Sequence, residues 1–320
     1  KRGENNDYTI DYNAGELTFT SLFPITSEMR ITIEYQYSDR NYSRFISYFG
    51  WEEQRKNWKI ASYIYSENDL KNQPLQQNLA PAQVEILANA GDNQNLMLSP
   101  SAYLDAYSEN KILYKKTTVN GVTFFEYSNT PTDELYNVRF NLVGTNQGNY
   151  RLKSSQAIGK IYEYISPVAG VLQGNYEPIS RLIAPTKLQI ATLMGRFEPS
   201  KKTILDFEMA VSRNDLNLFS TIDDENNVGF AGKWEGKHRF LDRKTKIDGY
   251  FKYQNSHENF RTVERLNTIE FNRDWNITST QIKEQQLLTA GFDVVLNKKG
   301  TIGYQFEKLG YGTDFKGDKQ

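Results

Sequence analysis

Residues 287–309, LLTAGFDVVLNKKGTIGYQFEKL, decide the fold class of this 320-residue chain. Two segments, 287–296 and 301–309, alternate apolar and polar side chains on either side of the turn Asn297-Lys298-Lys299-Gly300. Because successive side chains of a β-strand point to opposite faces, this alternation predicts a hairpin with one apolar face. The same pattern extends back to Lys202, so residues 202–315 predict an antiparallel β-meander.

Two kinds of protein produce such a meander. Segments of about 9–11 residues with alternating hydrophobicity, rich in Tyr and Phe, are typical of a transmembrane β-barrel. A soluble antiparallel sheet with one face in water gives the same alternation. The meander alone leaves both interpretations open.

The composition narrows the classes of protein. The hydrophobic fraction is 38%, which is low for a globular protein, but 21 Tyr and 18 Phe are too many for a disordered chain. With a net charge of −1, no overall electrostatic field favours binding to nucleic acid or to acidic membranes. The absence of cysteine excludes disulfides, thiolate metal sites and cysteine nucleophiles. No apolar run reaches the roughly 18 residues that a transmembrane helix needs.

The pattern divides the chain into three parts. Residues 1–66 predict β-hairpins and the first strands of a wall, including the hairpin 8–20 and a strand over 30–37. Residues 67–185 predict a loop-rich insertion or plug subdomain, and residues 186–320 the antiparallel meander. No signal peptide is visible before the first predicted strand, so we expect a fragment or a partly covered mature chain.

The insertion has the clearest local signals. Pro81–Ala90 predicts the main helix, with Pro81 in its first turn and Gly91 at its C-terminal cap. A second helical turn is predicted over 101–107. Strands over 112–118 and 122–127 are joined by Asn120-Gly121, a strong hairpin signal because both residues tolerate positive φ.

Aromatic residues are dense over 44–65. We considered two roles for them, a packed sheet face and a belt at a membrane–water interface. The residues are Phe45, Tyr48, Phe49, Trp51, Trp58, Tyr63 and Tyr65.

Three passages of the chain resemble a family of large, mostly uncharacterised outer-membrane proteins of the Bacteroidota. They are 7–20 with 31–37, 138–150 with 160–164 and 174–179, and 269–276. The matching motifs are sheet and turn patterns. The resemblance implies a barrel with a surface-facing or periplasmic insertion, and it carries over no functional residue.

Candidate chemistry is sparse. Asp223-Asp224-Glu225-Asn226-Asn227 has oxygen ligands suited to calcium but lacks the glycine and distal Glu of an EF-hand loop, so a solvated turn is favoured. Asp92-Asn93-Gln94-Asn95 is a still weaker candidate for calcium binding, and a surface loop is again favoured. His238 and His257 have no spaced partner for zinc. Glu52 and Glu53 are adjacent in a predicted strand, so they point to opposite faces and cannot share one glycosidic bond.

No serine-nucleophile elbow and no phosphate-binding glycine loop occurs in the sequence. Aromatics of the insertion could stack on sugars, although cross-strand packing is the more common role of such residues. These candidates are Tyr103, Tyr107, Tyr114, Phe124, Phe125 and Tyr127.

The sequence therefore predicts an all-β outer-membrane protein with a structural, transport or docking role. The expected partners are the lipid bilayer and other outer-membrane proteins or lipoproteins, and no catalytic, cofactor or metal residue is expected. The alternative is a soluble periplasmic or surface β-sandwich that binds polysaccharide or protein.

Overall fold

The computed structural model describes residues 7–11, 16–21, 24–26, 28–29, 31, 41–75, 79–156, 159–278, 281–296, 299–313 and 315–320. It is an all-β protein with antiparallel sheets. The strands are β1 (Tyr8–Asp11), β2 (Glu16–Phe19), β3 (Tyr42–Gln54), β4 (Trp58–Pro74), β5 (Leu98–Pro100), β6 (Tyr103–Leu104), β7 (Tyr114–Val119), β8 (Val122–Tyr127), β9 (Tyr136–Asn137), β10 (Asn141–Leu142), β11 (Tyr150–Gln156), β12 (Gly159–Tyr164), β13 (Tyr176–Glu177), β14 (Ile179–Arg181), β15 (Lys187–Ser200), β16 (Thr203–Asp215), β17 (Val228–Asp242), β18 (Thr245–Ser256), β19 (Gln285–Leu296), β20 (Gly300–Tyr311) and β21 (Phe315–Lys319). The helices are α1 (Pro81–Ala90), α2 (Phe271–Asp274) and a 3-10 turn over Asp224–Asn226.

One large sheet dominates the structure. Its nine strands lie in the order β21-β20-β19-β18-β17-β16-β15-β4-β3, so β15 to β21 form the predicted C-terminal meander. Strand β15 pairs with β4 over eleven positions, from Lys187 opposite Asn68 to Phe197 opposite Trp58. The sheet is therefore continuous across the insertion, which leaves it at the end of β4 and returns at the start of β15.

The boundary of the insertion differs from the prediction. A loop from residue 67 was expected because of the Asn and Gln residues there, but β4 continues to Pro74 and the insertion comprises residues 75–186. A polar contact accounts for the difference. Arg44 Nε donates to Asp69 Oδ1 at 2.6 Å, and Asp69 Oδ2 accepts the Thr186 backbone N–H at 2.9 Å. These bonds satisfy a buried carboxylate and hold both ends of the insertion together.

The first part of the insertion packs around α1. Leu87 and Ala90 of this helix are buried against Met97, Leu182 and Ala184. The helix bounds agree with the prediction, and Gly91 ends the helix with a φ of 58°. Asn217 Nδ2 donates to the carbonyl oxygens of Leu87 and Gly91, which satisfies groups that a helix end leaves unpaired.

The insertion also contains a two-stranded sheet of β5 and β14 and two four-stranded sheets, in the orders β6-β9-β7-β8 and β10-β13-β11-β12. The predicted Asn120-Gly121 turn is confirmed, with φ of 51° and 81°. The predicted helical turn at 101–107 is wrong, because Tyr103 and Leu104 pair as a strand with Asn137 and Tyr136.

At the N-terminus, β1 and β2 form the predicted hairpin. The predicted strand over 30–37 lies outside the described residues, apart from residue 31, which is in no strand.

Candidate functional site

The pairing register assigns every residue of the large sheet to one of two faces. Directly opposed residues in antiparallel strands point to the same face, and alternate residues along a strand share it. One row across eight strands defines the first face, and it comprises Glu53, Ile60, Gly195, Phe207, Trp234, Tyr253, Leu288 and Lys308.

This first face, which we name the apolar face, is covered with large hydrophobic side chains that remain exposed. Each is at least 36% exposed, and the most exposed is Phe49 at 64%. They are Phe45, Phe49, Trp51, Ile64, Leu193, Phe197, Leu205, Met209, Val211, Val228, Phe230, Trp234, Phe251, Leu288, Phe292, Ile302 and Tyr304. Monomeric soluble proteins rarely expose a contiguous apolar patch of more than a few hundred Å². A surface of this extent indicates an apolar environment or partner.

On the apolar face, some aromatic rings pack over glycines of the neighbouring strand. A Cβ on Gly195 would lie 2.3 Å from the ring of Phe207, its partner across the strand pair. The same relation holds between Gly236 and Phe251, at 2.2 Å. Each ring therefore occupies the space beside its partner glycine and covers backbone that would otherwise be bare.

The opposite face, which we name the charged face, carries ion pairs and amides together with a few exposed apolar side chains, such as Ile46 at 58% and Tyr48 at 66%. Cross-strand ion pairs join Arg196 to Asp206 at 2.7 Å and Lys59 to Glu52 at 2.7 Å. Glu235 lies 3.0 Å from Lys233 and 3.6 Å from Lys252. These side chains are between a third and a half exposed in most cases, so water screens the pairs, and this face is suited to an aqueous environment.

The two ends of the sheet also differ. At one end the strands are joined by the short turns 55–57, 201–202, 243–244 and 297–299. At the other end three connections are long, 75–186, 216–227 and 257–284, and a fourth, 312–314, is short. Outer-membrane barrels have this asymmetry between short turns and long loops.

The insertion uses its aromatic residues differently. Tyr114 is 1% exposed, and its hydroxyl accepts the Tyr162 backbone N–H at 2.9 Å. Phe124 stacks on Tyr164 with ring centroids 4.4 Å apart. Burial raises the pKa of both Tyr114 and Tyr150 to about 12. Phe125 and Tyr127 pack in the same cluster, so of the six sugar-stacking candidates only Tyr103 and Tyr107 are exposed, at 58% and 41%.

The two acidic stretches that could suit calcium meet in space. The backbone N–H of Asp92 donates to Asp223 Oδ2 at 3.2 Å. The backbone of Asp223 adopts the left-handed conformation, with a φ of 62°. Burial, followed by the charges of Asp223, Asp215 and Asp224, raises the pKa of Asp92 to about 6. In the described parts of the chain no group of three His, Cys, Asp or Glu residues has a metal-binding arrangement.

The other sequence candidates lie apart. His238 Nδ1 is 2.9 Å from Thr203 Oγ1 on the apolar face, whereas His257 stacks on Phe230 at 5.1 Å beside a long connection. Glu52 and Glu53 point to opposite faces: Glu52 contacts Lys59 and Glu53 contacts Arg55.

Comparison with known proteins finds similarity to one family model over a short part of the chain. A family model described as a domain of unknown function, DUF8818, matches residues 1–39. No curated protein and no solved structure matches the chain. Among the described residues, no helix has the length and hydrophobicity needed to cross a membrane.

The continuous apolar face is the feature that sequence reasoning missed. Alternation predicted an apolar face for each hairpin, but the joining of β4 to β15 depends on contacts between residues more than a hundred positions apart. A signal was available in the aromatic residues at alternate positions of 45–51, which continue the same face onto β3.

Proposed function

We propose that the large sheet is part of the wall of an outer-membrane β-barrel. The observation that carries this proposal is the separation of the two faces: seventeen large apolar side chains exposed on one, and ion pairs on the other. Acyl chains would cover the apolar face, and a water-filled lumen would lie against the charged face.

The lengths of the strands support this placement. A β-strand crosses a bilayer with about 9–11 residues when it is tilted. Strands β15 to β20 have 12 to 15 residues, and β3 and β4 have 13 and 17. On β19 the apolar face comprises Leu288, Ala290, Phe292, Val294 and Leu296, a run of about 27 Å along the strand.

The edges of the sheet are part of the proposal. Among the described strands, β3 and β21 form the two edges, and β3 exposes a row of unpaired backbone groups over 13 residues. Long open edges promote aggregation, and barrel closure removes them. We therefore infer that further strands, from this chain or from another, complete the wall.

The insertion supports a role outside the lipid. It has its own buried clusters, centred on Leu87 and on Tyr114, and it leaves the sheet at the end where the other long connections lie. A barrel with such a subdomain suits a conduit, a scaffold or a docking surface for other outer-membrane proteins or lipoproteins. We propose no catalytic role.

Fractionation of the native protein tests this proposal. We expect recovery of the chain only after detergent extraction of the envelope, with fixed co-purifying proteins and with a band that migrates differently on a gel before and after heating. Recovery of a soluble monomer without detergent would contradict the proposal and favour the soluble β-sandwich.

A further inference from the structure

The short turns of the large sheet share an unusual composition. Three described turns each contain two consecutive basic residues: Arg55-Lys56, Lys201-Lys202 and Arg243-Lys244. All six side chains are exposed, and Arg55 is 67% exposed. The fourth turn carries Lys298-Lys299, of which Lys299 is described and exposed. Residues 55–57, 201–202, 243–244 and 297–299 therefore hold eight basic residues, two in each turn, and no acidic residue.

The order of the strands brings these turns together. They join β3 to β4, β15 to β16, β17 to β18 and β19 to β20, which are consecutive pairs in the sheet. Because neighbouring strands lie about 4.8 Å apart, successive turns are spaced by about 10 Å along one edge of the sheet. This spacing is close to the Debye length of about 8 Å at physiological salt, so the positive potentials of neighbouring turns overlap. We name this edge the basic rim.

Most charges of the basic rim are free to meet an external anion. Arg55 pairs with Glu53 at 2.6 Å. Within the described part of the chain, Lys201, Lys202, Arg243 and Lys244 form no ion pair with a carboxylate. Long, flexible basic side chains of this kind can lie along an apolar surface and direct their charges outward.

At the opposite end of the sheet, acidic residues outnumber basic residues in the connections. The connections 75–186, 216–227, 257–284 and 312–314 contain 12 basic and 18 acidic residues. The positive charge is thus concentrated at the end with short turns, although the whole chain has a net charge of only −1. An overall attraction to anions does not explain this distribution.

We propose that the basic rim binds the phosphate groups of anionic phospholipids, at the membrane surface next to the short turns. This inference rests on the proposed function, because lipid headgroups meet the rim only if acyl chains cover the apolar face. The rim borders that face directly: Phe197 lies four residues before Lys201, and Leu205 lies three residues after Lys202. Headgroups of the lipids that contact these side chains would lie at the level of the turns. An acidic protein partner has no such reason to follow the edge of an apolar surface.

Transfer of the full chain from detergent into lipid vesicles tests the inference. The vesicles contain phosphatidylcholine alone or phosphatidylcholine with phosphatidylglycerol, and the readouts are flotation with the vesicles and the rate at which the folded band appears. The test variant is K201Q/K202Q/R243Q/K244Q. The matched control, R139Q/K153Q/K160Q/R181Q, removes the same charge from exposed residues of the insertion.

We expect phosphatidylglycerol to increase vesicle association of the wild type and of the control. The increase should fall by at least about tenfold in the test variant, since each basic residue near an anionic surface contributes a factor of about five before screening. High salt should reduce the increase in the wild type and leave the test variant little changed.

The other outcomes separate the two proposals. Equal transfer of the wild type into both kinds of vesicle would overturn the role of the basic rim and leave the membrane assignment intact. The same holds if the test variant and the control lose the phosphatidylglycerol effect equally. Retained preference for phosphatidylglycerol in the test variant, with loss of a co-purifying acidic protein, would assign the rim to a protein partner and overturn the lipid role. Failure of the wild type to enter any vesicle would overturn both proposals.

Discussion

The large sheet and the insertion treat their apolar side chains in opposite ways. In the insertion, Tyr114, Phe140 and Tyr150 bury one another, and Tyr114 and Tyr150 each accept a backbone N–H. In the large sheet, Phe49, Phe230 and Phe292 stand on a face that the described part of the chain leaves open, with exposed fractions of 64%, 54% and 45%. Hydrophobic burial within the chain thus stabilises the insertion, whereas the described residues leave the apolar face of the sheet uncovered.

The strongest test of this contrast removes a central side chain of the insertion. We expect Tyr114→Ala to destabilise the insertion by about 3–5 kcal/mol, because it leaves a cavity among Phe140, Tyr150 and Tyr127 and removes the acceptor of the Tyr162 N–H. Hydrogen exchange and limited proteolysis measure the effect. Because Tyr103 is exposed, Tyr103→Ala should change the stability of the insertion little. The heat-dependent migration of the chain on a gel, which reports the folded sheet, should persist in both variants. Loss of the sheet in Tyr114→Ala would show that the two regions fold as one unit.

A charge on the apolar face gives the next largest effect. Met209 lies near the middle of β16, is 43% exposed and faces the same side as Leu193. We expect Met209→Arg to cost about 2–4 kcal/mol in a bilayer, as for basic residues at the midplane of a barrel's lipid face. Denaturant unfolding from vesicles measures it. The neighbouring Glu208→Arg, on the charged face, is the control at the same depth. Similar costs for both variants would contradict the assignment of the faces.

The insertion also predicts a dependence on pH. The pKa of Asp92 is about 6 in the fold and about 3.9 in the unfolded chain, so between these values the folded state retains a proton that the unfolded state has released. Stability therefore falls as the pH rises from about 4 to about 6. We expect Asp92→Asn to raise the free energy of unfolding by about 1 kcal/mol at pH 8, after allowance for the partial exposure of Asp92. At pH 3 we expect no change.

Asp133 serves as a control because its pKa is shifted in the opposite direction to that of Asp92. A hydrogen bond from the Ser128 hydroxyl, followed by the charge of Lys115, lowers the pKa of Asp133. Its contribution is present above the unfolded pKa and is lost as the pH falls, so Asp133→Asn should destabilise the insertion at pH 8. Thermal melts at the two pH values measure both variants. The same sign for both would contradict the environments described for these carboxyl groups.

The smallest expected effect lies on the charged face. Arg196 and Asp206 are 55% and 30% exposed, and we expect their coupling to be about 0.2–1 kcal/mol and to weaken with salt. A double-mutant cycle with Arg196→Gln and Asp206→Asn measures it. A coupling of several kcal/mol, or loss of folding in the single variants, would indicate that a second sheet or a plug buries this face in place of water.

Local signals in the sequence predicted the individual elements well. Asn120-Gly121 gives its turn because both residues adopt positive φ, and Pro81 and Gly91 bound α1. These features depend on neighbouring residues only. Residues 67–74 were predicted as loop because Asn and Gln are common in loops, yet β4 continues to Pro74. Residues 67–69 and 74 pair with β3, and residues 67 and 68 also pair with β15.

The surfaces were harder to predict than the elements. The apolar face depends on the register of nine strands, and the basic rim depends on the order in which those strands lie. The basic pairs were visible in the sequence, but only the adjacency of the four hairpins places them on one edge.

Quenching of tryptophan fluorescence by brominated lipids tests the central claim most directly. Trp234 lies on the apolar face, whereas Trp275 is 7% exposed and packs against Phe271 and Leu309 on the other side of the sheet. Two variants that keep one of these residues, with the other tryptophans replaced by Phe, are compared in vesicles. The account predicts strong quenching of Trp234 and weak quenching of Trp275. Equal quenching of the two, or no quenching of Trp234 in a folded chain, would contradict the claim that lipid covers the apolar face.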